Sequence, residues 1–290
     1  MAERPGPAAT VPAGWYADPV RHRPYRWWDG HRWTAYAAGE SVEWDPIAEP
    51  VAREVQPGLP GTVAAFVGFG SAVALSLLSI AVLGALGRPG GLPVELLVSQ
   101  LCLWAPLVAT VVAVSRRRGT GSLVTDYGFR FRFADLGFGL AASVAARSVS
   151  AVVILPVVLA HPTFPNVHSD LTQLTDRPID WVLLVAITCV GAPIIEELFF
   201  RGLLQTRLVA LAGPVVGIVV ASILFGLAHL LAWAGPATFV YALAVAGGGL
   251  VLGTIRHITG RLGTSIMAHA FFNAQAMVAL AVAVHSAQRF

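Results

Sequence analysis

The sequence predicts an all-α polytopic membrane protein of about seven transmembrane helices, preceded by a small Trp-rich β unit. Three observations carry that prediction. Of 290 residues, 56% are hydrophobic and only 12% are charged, with a mean hydropathy of +0.70; a soluble domain is about one quarter charged. The apolar residues fall in long runs near 61–86, 95–114, 135–159, 181–209, 214–232, 236–255 and 263–284. Each run can cross roughly 30 Å of hydrocarbon at about 1.5 Å per residue. The arginines gather between the runs on alternate sides.

In chain order, residues 1–37 form a small unit with its core at 12–37. Asp29-Gly30 separates the aromatic runs Tyr25-Arg-Trp-Trp28 and Trp33-Thr-Ala-Tyr36, which is a hairpin signal because the primed turn needs positive φ. So few residues build little core alone. Two readings stay open for the unit, a cytoplasmic appendage or a binder of proline-rich peptide through exposed tryptophan. Residues 38–60 then carry Glu40, Glu43, Glu49 and Glu54 among prolines and read as an acidic linker. Residues 61–290 are the transmembrane helical domain.

All 19 basic residues are arginine. Arg4, Arg21, Arg23, Arg26, Arg32 and Arg53 precede the first run, and Arg116, Arg117, Arg118, Arg130 and Arg132 fill the second loop. Arg201, Arg207, Arg256 and Arg261 lie at later turns of the same side, against Arg88, Arg177 and Arg289 opposite. A multi-pass protein of the cell membrane follows, with a cytoplasmic N-terminus and an external C-terminus. The loop 160–180, with His161 and His168, is then external. The basic pI of about 9.2 does not point to nucleic acid, because the arginines flank apolar runs. Cys102 and Cys189 each lie within an apolar run, far apart, with neither metal spacing nor a disulfide framework. The first 50 residues lack a signal-peptide pattern.

Ionisable groups inside a bilayer mark function by default. In Pro193-Ile-Ile-Glu196-Glu197-Leu-Phe-Phe-Arg201, two adjacent acids sit deep in the fourth run. Glu197 and Arg201 share a helix face, and Glu196 points about 100° away. Arg201 then neutralises Glu197, and Glu196 is left toward a cavity as a candidate general base. A structural ion-pair knot is the alternative. In Phe225-Gly-Leu-Ala-His229 the histidine is a packing residue or a catalytic one. In His269-Ala-Phe-Phe-Asn273 the two donors share a face and suit an oxyanion hole, or an interhelical hydrogen-bond pair. For these groups to meet, the fourth helix must run on, tilted, to about Val209, with Arg201 paired inside the bundle. Arg147, deep in the third run, pairs with one of the two glutamates or makes another interhelical ion pair.

The Glu-Glu-x-x-x-Arg, Phe-x-x-x-His and His-x-x-x-Asn motifs, in that order, resemble the CAAX-protease and bacteriocin-processing family, also called CPBP or Abi. The resemblance covers about 90–284, most strongly 181–275. It implies an all-helical intramembrane peptidase with a cavity open to the cytosol. It implies that Glu196 and His229 activate water, and that His269 and Asn273 stabilise the oxyanion. Glu197, Arg201 and Phe225 match supporting positions. The Trp-rich unit resembles a short domain of unknown function found at the start of actinobacterial membrane proteins.

A zinc ion is the alternative cofactor, with Glu197, His229 and His269 as ligands and Glu196 as base. The Arg201 cation beside the glutamates and the lack of a His-Glu-x-x-His motif favour a metal-free glutamate mechanism. Membrane lipid and a membrane-associated peptide or protein substrate are the expected partners, and oligomeric state stays open. Two non-enzymatic readings remain. One is a membrane scaffold or immunity protein that uses the polar cluster for packing. The other is a proton-coupled transporter, against which no paired broken helices appear in matching halves.

Overall fold

The computed structural model describes residues 12–18, 23–29, 33–44, 59–89, 91–160, 177–232 and 238–287. The chain divides into two compact units, Met1–Gln56 and Pro57–Phe290.

The first unit is a four-stranded antiparallel meander of β1 (Gly14–Ala17), β2 (Tyr25–Trp28), β3 (Trp33–Ala38) and β4 (Val42–Trp44). Trp28 pairs with Trp33 across the expected hairpin, although Gly30 itself lies outside the described residues. Edge-to-face ring contacts join Trp15 to Trp27 at 5.4 Å and Trp28 to Trp33 at 5.3 Å. Beneath them Arg26 Nε donates to Asp18 Oδ1 at 2.8 Å, with both side chains at most 1% exposed. The sheet continues past residue 37: β3 ends at Ala38, and β4 lies inside the stretch expected to be linker. A three-residue strand is too short to show alternation, and the prolines and glutamates of 38–60 mask it. The rest of that stretch, 45–58, lies outside the described residues.

The second unit is helical. Its elements are α1 (Leu59–Ala85), α2 (Gly91–Arg118), the short α3 (Leu123–Tyr127), α4 (Ala134–Ala160), α5 (178–212), α6 (214–228), α7 (Thr238–Thr259) and α8 (Leu262–Ala287). Six helical stretches are long and apolar enough to span a membrane. One of them, Pro178–Ala228, has 51 residues, more than twice the ~20 a bilayer needs. It contains two passes, α5 and α6. Gly213 breaks it at φ 83° and ψ 169°, a conformation open essentially only to glycine, and Pro214 restarts the helix. The reversal shows in packing against α7. Gln205 and Ile218 both reach Gly253, while Arg201, Ser222 and Phe225 all reach Gly249. Counting α5 and α6 separately, the described residues hold seven long apolar helices, as the seven apolar runs predict.

Outward positions such as Val67, Leu78, Val152, Leu159, Val215 and Leu243 are exposed, which is the pattern of a lipid-facing surface. The chain is a multi-pass membrane protein. In α7 half of the apolar window is buried, against 17–22% in the other spans. α7 is therefore the central helix, and its Gly/Ala-rich sequence lets α4 and α6 pack close to it. The arginine-rich ends are tied together. Arg256 donates to the Tyr127 carbonyl at 2.9 Å, and Arg261 and Thr264 both donate to Asp135 Oδ1, at 2.7 Å and 2.5 Å. The 160–180 loop, including His161 and His168, falls outside the described residues except at its last few positions.

Candidate active site

The site is built on α5, which is not a regular helix. Two π-helical turns, Ala186–Gly191 and Leu198–Leu204, bracket the regular turn Ala192–Glu197. Pro193 has no N–H for the Cys189 carbonyl, and the turn before it widens. Widening frees acceptors: the Thr188 carbonyl receives Asn273 Nδ2 of α8 at 2.7 Å.

The two acids differ as their 100° separation predicts. Glu197 is fully buried, and its Oε1 accepts from Arg201 Nη1 at 2.8 Å and from His269 Nδ1 at 3.1 Å. Arg201, 1% exposed, also donates to the Gly249 carbonyl at 3.2 Å, an approach that the missing side chain of Gly249 allows. Its guanidinium lies 4.1 Å over the ring centroid of Phe225, a cation–π contact. Phe225 meets His229 at 4.8 Å and His269 at 5.5 Å, edge to face. It is thus the apolar hub of the cluster. The fourth helix runs past Val209 with Arg201 paired inside, as the meeting of the motifs requires.

Glu196 faces away from this tie. It lines a cavity of about 500 Å³ together with His229, His269 and Asn273. Its Oε2 is buried without a hydrogen-bond partner in the protein and stands 4.0 Å from His269 Nε2. His229 Nδ1 lies 2.8 Å from the Phe225 carbonyl. A carbonyl only accepts, so Nδ1 carries the proton and Nε2 the lone pair. The structure therefore brings Glu196, His229, His269 and Asn273 to one cavity, and sets Glu197, Arg201 and Phe225 behind it.

Arg147 pairs with neither glutamate and makes no ion pair with any acid among the described residues. It donates to the Phe272 carbonyl and, at 3.3 Å, to Gln275 Oε1, and its guanidinium stacks 3.7 Å from the Phe272 ring centroid. α4 faces α7 and α8 here, and α5 lies beyond them. Three contributors escaped the sequence reading: Thr188, Gly249, and Glu95 at the far end of the cavity wall, ion-paired to Arg88 at 3.0 Å. Pro193, five residues after Thr188, is the one available signal.

Among the described residues, no group of three or more His, Cys, Asp or Glu side chains stands so as to hold a metal ion. The zinc set Glu197, His229 and His269 does not fit as the side chains stand. The Glu197 oxygen shared with His269 already carries Arg201 at 2.8 Å, and a guanidinium there repels a second cation.

The geometry can now be set beside known families. Residues 178–275 match the model described as type II CAAX prenyl endopeptidase Rce1-like. The matched segment is thus similar to the family that the three motifs resemble. The Rce1-like segment is about a third of the chain and holds all three motifs, while 90–177, which the motif resemblance also took in, lies outside the match. Arg147 is thus outside the Rce1-like segment, although it packs against its last helix. Residues 13–46 match a protein of unknown function, DUF2510, and that match spans all four strands of the sheet. No curated protein and no solved structure matches the chain.

Proposed function

We propose that this protein is an intramembrane endopeptidase that hydrolyses peptide bonds of membrane-associated peptides or proteins by a metal-free glutamate mechanism. The observation that carries the reading is the division of labour between adjacent acids. Glu197 is held by Arg201 and His269, while Glu196 turns to a cavity shared with His229 and Asn273. A packing knot needs one acid, and the second one faces space.

Glu196 takes a proton from a water in the cavity, and the His229 Nε2 lone pair orients that water. The resulting hydroxide attacks the scissile carbonyl. His269 stands between the two acids, with Nδ1 3.1 Å from Glu197 Oε1 and Nε2 4.0 Å from Glu196 Oε2. Its Nδ1–H bonds Glu197 and its Nε2–H points to the Glu196 side of the cavity. That N–H, with the second N–H of Asn273, holds the oxyanion. Glu196 then passes its proton to the departing amine, which closes the proton balance. The arginine distribution supports a cytoplasmic N-terminus and an external C-terminus in the cell membrane.

Glu196→Gln is the test. In purified protein that keeps its thermal midpoint, peptide turnover is expected to fall by at least ~10³-fold, the upper range for removing one essential polar group of an active site. Full turnover by that variant would refute the mechanism. Lost stability with unchanged biological function would instead support the scaffold reading.

A further inference from the structure

A second cavity, about 530 Å³, is lined by residues of α4, α7 and α8, and it shares His229, His269 and Asn273 with the first. Arg147 stands in its wall. We propose that this cavity is the subsite for the departing side of the substrate, and that Arg147 is a specificity-determining residue that binds a carboxylate there. The inference rests on the peptidase reading above.

A cation in mid-span is costly unless something offsets its charge. Arg147 lies about midway along α4, and no acid among the described residues offsets it. Its contacts are neutral and they hold it in position. Nε donates to Gln275 Oε1, Gln275 Nε2 in turn donates to Ser143 Oγ at 3.0 Å, and Nη2 donates to the Phe272 carbonyl. This fixes the plane of the guanidinium against the Phe272 ring. Nη1 has no partner among these bonds, and Arg147 lines the cavity. A preorganised guanidinium in a cavity wall recognises a carboxylate. Among the described residues, no other Arg and no Asp or Glu lines that wall.

The spacing along α8 suits one bound chain. Arg147 contacts Phe272 and Gln275, three and six residues beyond His269. At about 1.5 Å per residue, that is roughly 4.5 to 9 Å along the helix axis. An extended peptide covers about 3.3 Å per residue. A carboxylate on Arg147 therefore lies within about one to three residues of a carbonyl held at His269 and Asn273. A side-chain carboxylate and a chain terminus offer the same chemistry, so both are candidates.

The test is equilibrium binding, which needs no turnover. The probes are dye-labelled, N-palmitoylated hexa-alanine with a C-terminal acid, the same peptide as its amide, and amide-capped versions with Glu or Gln near the end. They are titrated by fluorescence anisotropy against Glu196→Gln protein in neutral-lipid nanodiscs. A charge-assisted hydrogen bond predicts at least ~10-fold tighter binding of a carboxylate peptide over its neutral partner. The terminal and side-chain pairs tell which carboxylate is read. Adding Arg147→Gln is expected to abolish the preference, and Arg147→Lys to keep part of it. Equal affinity for every acid and neutral pair, including no binding by any, overturns the proposal, and that comparison depends on no Arg147 variant folding. A preference that survives Arg147→Gln overturns it as well. Arg147-dependent binding of phosphatidylglycerol in place of the carboxylate peptides assigns the subsite to a lipid phosphate and also overturns it. Failure of the peptidase reading shows separately, as undiminished cleavage by Glu196→Gln.

Discussion

Arg201→Ala should be far more damaging alone than when paired with Glu197→Gln. The substitution removes three contacts of a side chain that is 1% exposed: the 2.8 Å ion pair to Glu197, the 3.2 Å bond to the Gly249 carbonyl, and the stack on Phe225. The first dominates. It leaves Glu197 ionised and fully buried, with only His269 to offset it, and a broken buried pair costs about 3–5 kcal/mol. The carbonyl and ring contacts add about 1–2 kcal/mol together. A unit of this size loses roughly 2–4 °C of melting temperature per kcal/mol, so a drop on the order of 10 °C or more is expected. Glu197→Gln in the same chain removes the stranded charge, and the double variant should recover more than half of the loss. Thermal unfolding in detergent, followed by a thiol-reactive dye at Cys102 and Cys189, reads both numbers. Strictly additive effects of the two substitutions, or an Arg201→Ala shift under about 2 °C, would refute the claim that this pair holds the site.

Other outcomes rest on the same geometry. Asn273→Ala should lower kcat by about 10²-fold with KM little changed, because it removes an oxyanion donor; a fall in kcat/KM carried by KM alone would place Asn273 in substrate binding instead. The same variant strands the Thr188 carbonyl, so a stability loss of about 1–3 kcal/mol should accompany it. Gly213→Ala should destabilise the α5–α6 reversal by about 1–3 kcal/mol, since φ 83° with ψ 169° is closed to other residues; an unchanged melting temperature would show that the turn tolerates a side chain.

Several features could be read from residues alone because they depend on local rules. The seven apolar runs follow from apolar length, and the break between the fourth and fifth from the gap between 209 and 214. Glu197 with Arg201, and His269 with Asn273, stand four apart and must share a face. The unequal environments of Glu196 and Glu197 follow from the 100° between neighbours on a helix. The sheet was only partly legible, since β4 is three residues long and hides among linker-like residues. Arg147 was misassigned for a different reason. Its depth in α4 signals a partner, but depth does not say which helix lies opposite.

By itself, then, the sequence determined that the chain is embedded in lipid, roughly where its long apolar helices lie, and that the motif residues Glu196, Glu197, Arg201, His229, His269 and Asn273 fall within them. The tertiary structure alone decided that Glu197 joins Arg201 to His269, that Asn273 anchors on Thr188, and that Arg147 faces Phe272 and Gln275 rather than an acid. The physical reason is helical phase. Periodicity relates residues within one regular helix, whereas each π turn in α5 inserts about one extra residue and rotates the rest of the helix by about 100°. Contacts between helices then depend on that rotation and on where glycines such as Gly249 admit close approach, and neither is encoded in the spacing of the motifs.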